Sequence, residues 1–85
     1  MYSVLFTKSA DKALRSMPRE VTQRIRERLE LIARDPYAEH SNVTKLQNRP
    51  GFRLRVGDWR VIYELEDDRL VVLVLRIGHR GEVYR

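Results

Sequence analysis

The sequence predicts an α+β domain: an N-terminal strand, a helical hairpin, then a three-stranded antiparallel meander, all in one sheet with the helices on one face. Three observations predict it. Apolar residues recur at helical spacing only between positions 9 and 35. Three strand-like runs, at 52–56, 59–65 and 70–77, follow one another with short turns between them. A short alternating segment at 2–6 precedes the helices. Eighty-five residues hold one modest core, so residues 1–85 are read as one domain.

Residues 2–6, "YSVLF", alternate and stop at Thr7-Lys8-Ser9, whose hydroxyls suit a helix start. "SADKALRSM" then sets Ala10, Leu14 and Met17 on one side of a short helix. Ser16 and Pro18 mark a break and a restart, since proline suits the first turn of a helix. In "PREVTQRIRERLELIARD", Val21, Ile25, Leu29 and Ile32 form the apolar stripe of a longer helix, with arginines and glutamates elsewhere. Asp-Pro and Ser-Asn make 35–44 a loop, and "NRPG" at 48–51 is a turn. Gly57-Asp58 joins the first two meander strands. Asp67-Asp68 joins the next two, with Glu66 and Arg69 placed to pair across that turn. "LVVLVLRI" is apolar at nearly every position, as expected of a central strand covered on both faces. The first strand joins at an edge or beside this run. Glu82-Val83-Tyr84 has the pattern of a small added edge strand.

The net charge is +5, and 14 of the 17 basic residues are arginine. Arginine presents a planar, permanently charged fork suited to phosphate and carboxylate, so an acidic partner is favoured. There are no cysteines, so disulfides and thiolate metal sites are excluded, and a cytoplasmic location is expected. Two distant histidines, His40 and His79, do not make a metal site, and no cofactor is expected. The N-terminal segment lacks the charged leader of a signal peptide, and no apolar run reaches the roughly 20 residues of a membrane span.

The stretch "GFRLRVGDWRVIYEL" carries a local conflict. With Gly57-Asp58 as a two-residue type II′ turn, Val56 faces Trp59, Arg55 faces Arg60, and Leu54 faces Val61. Alternation then puts Arg53, Arg55 and Arg60 on one face. Like charges opposite one another cost stability, and such conflicts concentrate at functional sites. A phosphate held between the arginine forks would relieve it. The competing explanation is that the long side chains splay into water and cover apolar surface with their stems.

"KLQNRPGFRLRVGDWRVIYEL" followed by "LVVLVLRIGHRGEVYR" resembles the RelE/ParE superfamily of toxins from toxin–antitoxin systems. The likeness spans nearly the whole chain: Lys-Leu, a Gly-aromatic step, Arg-x-Arg-x-Gly-Asp-aromatic-Arg, a tyrosine, and a terminal Gly-x-Arg before Val-Tyr. The ending "GHRGEVYR" is closer to the RelE branch than to the gyrase-poisoning ParE branch. The resemblance implies the RelE-like fold. It also implies an endoribonuclease that cuts mRNA in the ribosomal A site and is silenced by a cognate antitoxin. Its partners would be that antitoxin, the ribosome and mRNA. By the same resemblance, the RNA-binding basic pair falls on Arg53 and Arg55, the strand arginine on Arg60, the C-terminal arginine on Arg80, and the tyrosine on Tyr84.

Cleavage by attack of the 2′-hydroxyl on the adjacent phosphate needs alignment, charge neutralisation and two proton transfers. Arg60 and Arg80 suit charge stabilisation, and Tyr84 suits stacking on a base or orienting the 2′-hydroxyl. Relatives can carry lysines where Arg53 and Arg55 stand. Arginine stays protonated, so the general base is left open. His79 is the candidate acid, because an imidazole ordinarily titrates near neutrality. Lys45, just before the hairpin, is placed to reach RNA. Two other readings remain: a ParE-like, non-catalytic inhibitor of DNA gyrase, and an inactive RNA-binding relative.

Overall fold

The computed structural model describes residues 1–81. Strand β1 (Ser3–Phe6) leads into helices α1 (Lys8–Arg15) and α2 (Arg19–Arg34). Four strands follow: β2 (Val43–Lys45), β3 (Phe52–Val56), β4 (Trp59–Glu66) and β5 (Val71–His79). They form one sheet in the order β1-β5-β4-β3-β2. The β3–β4–β5 meander is antiparallel, β2 pairs antiparallel with β3, and β1 lies parallel to β5 at the far edge. The fold is thus the expected α+β arrangement with one more strand.

That added strand is β2, in a segment expected to be mostly loop. Three residues are too few to show a period, and the strand exists because β3 supplies its hydrogen bonds. Arg55 N–H donates to Asn42 O at 2.9 Å, and Leu46 N–H donates to Gly51 O at 3.0 Å. The expected strand at Glu82-Val83-Tyr84 lies outside the described residues.

Thr7 joins three elements. Its hydroxyl accepts the Ala10 N–H at the start of α1 and donates to Leu75 O in β5 at 2.7 Å. Its N–H donates to Val74 O. Pro18 sits one position outside α2, where its missing N–H costs nothing.

The core lies between the helices and one face of the sheet. Ala10 and Leu14 of α1, Met17, and Ile25, Leu29, Ile32 and Ala33 of α2 pack on it. They meet Leu54, Val56, Val61, Tyr63, Val72, Val74 and Ile77. Tyr63 is the largest of the fully buried side chains; it stacks on Phe52 with centroids 5.3 Å apart, and burial pushes its hydroxyl pKa up to about 12. At the opposite end from the Gly57-Asp58 turn, Asp67 accepts hydroxyls from Tyr2 and Tyr37, binding β1 and the loop after α2 to the β4–β5 turn. That hydrogen bond is the main reason the Tyr37 pKa rises to about 12. Arg69 pairs with Glu66 across the same turn, as expected.

Candidate functional site

The β3–β4 hairpin has the predicted register: Val56 faces Trp59, Arg55 faces Arg60 and Leu54 faces Val61. Gly57 adopts φ +58° while Asp58 stays out of the left-handed region, the pattern of a type II′ turn. Leu54 and Val56 enter the core, so alternation sends Arg53, Arg55 and Arg60 to the sheet face away from the helices. Arg55 and Arg60 also form a non-hydrogen-bonded pair, since Arg55 gives its N–H to Asn42 instead. Side chains approach more closely in such a pair.

The two guanidinium groups turn in different directions. Arg55 Nη2 donates to Asn42 Oδ1 at 2.9 Å, so Asn42 holds this arginine through both its side chain and its backbone. Arg60 Nη1 curls over the turn and donates to Gly57 O at 3.0 Å and Trp59 O at 3.1 Å. These acceptors are neutral oxygens. The splay separates the charges without cancelling them, and the forks remain suited to an anion.

A β-bulge brings more arginine to this face. Tyr63 faces Val74 but Ile62 faces Arg76, so β5 carries Leu75 as an extra residue between them. The extra residue resets the alternation. Beyond it, Arg76 and Gly78 fall on the arginine face, while Ile77 enters the core. Gly78 faces Arg60 and puts no side chain over it. Arg80 N–H donates to Asp58 O at 2.9 Å, which anchors this residue beside the hairpin turn. Arg53, Arg55, Arg60 and Arg76 thus share one sheet face, and the Arg80 backbone is tied to the hairpin turn at its end.

The same reset sends His79 elsewhere. It faces Trp59 in the ladder and stacks on it with centroids 3.9 Å apart, on the core side of the sheet. It does not stand among the arginines. Lys45 faces Phe52, so it projects toward the helix side at the exposed rim, and it is Thr44 that shares the Arg53 face. Lys45 nevertheless lines a rim hollow together with Arg49 and Arg53. Tyr84 lies outside the described residues. Among those residues, no group of three or more His, Asp or Glu is placed to hold a metal ion, and no helix is long and apolar enough to cross a membrane.

Two arginines on this surface were not singled out from the sequence. Arg76 sits in an apolar run with no alternation from which to read its facing. Arg49 lies in "NRPG", which signals only a turn. The glycine of that turn is itself informative. Gly51 has φ +110°, and a Cβ there would stand 2.9 Å from Tyr63 O, so the 46–51 loop lies directly against β4.

Residues 4–84 match the family described as the ParE toxin of type II toxin–antitoxin system, parDE. The chain is 30% identical to toxin RelG of Mycobacterium tuberculosis, over 99% of this chain and 97% of that protein. It is 26% identical to the mRNA interferase toxin RelE of Escherichia coli K12, over 98% and 90%. It superimposes with a TM-score of 0.80 on a chain of the archaeal RelE–RelB complex from Pyrococcus horikoshii. That likeness has 30% identity and covers 96% of this chain and 98% of the other. The structural likeness, the near-complete coverage on both sides and the family match lead to one assignment: the chain belongs to the RelE/ParE superfamily of type II toxin–antitoxin toxins, on its RelE-like branch.

Proposed function

We propose that this chain is an endoribonuclease toxin that halts translation by cutting mRNA in the ribosomal A site, through attack of a ribose 2′-hydroxyl on the adjacent phosphate. The observation that carries the reading is the gathering of Arg53, Arg55, Arg60 and Arg76 on one sheet face, Arg55 facing Arg60 despite the repulsion, with the Arg80 backbone anchored at the adjoining turn. The relative named an mRNA interferase supports the activity. The RelE–RelB complex supports silencing by a cognate antitoxin, which on a +5 protein would be an acidic or amphipathic segment.

In this mechanism Arg53 and Arg55 hold the substrate strand by its phosphates. Arg60, across from Gly78, and Arg80, two residues beyond that glycine, neutralise the charge that builds on the non-bridging oxygens at the phosphorane. Tyr84 stacks on a base or orients the 2′-hydroxyl. Neither arginine of the basic pair removes a proton. With His79 stacked on Trp59, the rate enhancement rests on alignment and electrostatics more than on an imidazole acid.

A second reading has an observation behind it: the matching family is described by the parDE system. Induction in cells with mapping of new mRNA 5′ ends separates the two. Cuts phased to the reading frame support the ribonuclease. DNA damage without cuts supports a gyrase inhibitor. Co-expression of an adjacent antitoxin gene should bind the protein and relieve growth arrest under either.

A further inference from the structure

We propose that His79 is a positioning residue: stacked on Trp59, its ring clamps the end of β5 to the hairpin turn and so sets the separation of Arg60 and Arg80. The proposal rests on the ribonuclease reading above and names what keeps its two charge-stabilising arginines in register.

The end of β5 needs such a clamp. β1 pairs only with residues 71–74, so from Leu75 onward β5 has β4 on one side and no strand on the other. His79 and Arg80 also stand between two glycines, and Gly81 takes φ +91°, a conformation that turns the chain out of the strand. Past the Arg60–Gly78 pair, a backbone hydrogen bond and a ring contact hold the strand to the hairpin among the described residues. Arg80 N–H donates to Asp58 O at 2.9 Å. That bond makes Trp59 and His79 a non-hydrogen-bonded pair, the kind in which facing side chains come closest. Their rings stack with centroids 3.9 Å apart and planes 28° from parallel.

The two rings play different parts. Trp59 is half-buried and packs against the core, so it is a fixed platform. His79 is exposed and lies over it. The stack carries the rigidity of the core to a strand end that would otherwise fray.

Both arginines are thereby referred to the same four residues, 57–60. Arg60 Nη1 donates to Gly57 O and Trp59 O, which fixes its guanidinium at the turn. The Arg80 backbone is tied to Asp58 O, and to Trp59 through the neighbouring imidazole. Stabilising a phosphorane needs its cations at fixed places, and a displacement of about 1 Å can cost about 100-fold in rate. An aromatic stack shifts a docked–undocked equilibrium by a factor of about 2 to 10. This role calls for a flat ring and not for a proton, which suits a histidine that stands off the arginine face.

The test compares His79→Ala with His79→Phe, which keeps a flat ring and removes both nitrogens. Position 79 is exposed, so both variants should fold by circular dichroism. Amide exchange followed by NMR reads the clamp without any activity. The Arg80 amide should be protected in the unaltered protein, exchange about 3- to 10-fold faster in His79→Ala, and regain protection in His79→Phe. Single-turnover cleavage on programmed ribosomes reads the consequence. His79→Ala should cut about 3- to 10-fold more slowly at saturating toxin with unchanged affinity for the ribosome, and His79→Phe should restore the rate. In an Arg80→Ala background His79→Ala should cost nothing further, because it acts through Arg80. Equal exchange at Arg80 in the unaltered protein and His79→Ala overturns the clamp. So does full-rate cleavage by His79→Ala, or a rate loss that His79→Phe fails to restore. If the exchange pattern appears in a protein that cuts no mRNA, the clamp stands and the ribonuclease reading falls. If mRNA is cut and His79→Ala changes neither exchange nor rate, the clamp falls and the ribonuclease reading stands.

Discussion

Replacing Arg55 with Gln should move stability and RNA binding in different directions. Arg55 faces Arg60 in a non-hydrogen-bonded pair. Two unit charges at roughly 7 Å in water-like surroundings repel by about 0.6 kcal/mol, and like charges opposite one another on strands cost about that much. The substitution removes this repulsion. It also removes the guanidinium donor to Asn42 Oδ1, an exposed hydrogen bond worth about 0.5 kcal/mol that the Gln amide can partly replace. The backbone bond from Arg55 N–H to Asn42 O is unaffected. The net change in folding stability is therefore between zero and a gain of about 0.5 kcal/mol. The lost phosphate contact should weaken RNA or ribosome binding several-fold and lower its salt dependence. Urea unfolding and a salt-titrated binding assay on the same preparation give both numbers. A stability loss above about 1 kcal/mol with unaltered binding would make these arginines structural and refute the reasoning.

Three other outcomes follow from particular contacts. Thr7→Ala removes the α1 cap and leaves Leu75 O without its hydroxyl donor, so it should destabilise by about 2 kcal/mol in urea unfolding. Tyr63 has a folded pKa of about 12 against an ordinary 10, so its contribution is complete below pH 10 and lost as pH rises through 12. Tyr63→Phe should abolish about 3 kcal/mol of alkaline destabilisation across that window while changing stability at pH 8 by less than about 1 kcal/mol. His79→Ala loses the stack on Trp59 but no group on the arginine face, so the pH–rate profile of cleavage should keep its shape; a profile flattened near neutrality would restore His79 as the acid.

The sequence carried the parts of this site that depend on local rules. A two-residue turn starting with glycine determines which residues face each other, so the Arg55–Arg60 pair and the facing of Arg53 were legible from "RVGDWR". The helical stripe through Ile25, Leu29 and Ile32 likewise identified the covered face. The bulge was not legible. In "LVVLVLRI" nearly every position is apolar, so a period of two has no phase, and an extra residue leaves no mark. The facing of Arg76 and His79 depends on that residue. Strand β2 escaped for a different reason: its three residues are held by β3 and by Asn42, not by their own pattern. Arg49 reaches the surface only because Gly51 lets its loop lie against β4, a contact between distant parts of the chain.

In the proposed function the arginine face is the surface on which mRNA is cut. Single-turnover cleavage of mRNA in the A site of programmed ribosomes tests it most directly, comparing the unaltered toxin with Arg60→Gln, Arg80→Ala and the Arg80→Ala, Tyr84→Ala double variant. All three should fold and bind ribosomes, and Arg60→Gln and Arg80→Ala should each lose about 10²- to 10³-fold in cleavage rate. Full-rate cleavage by the folded double variant would contradict it.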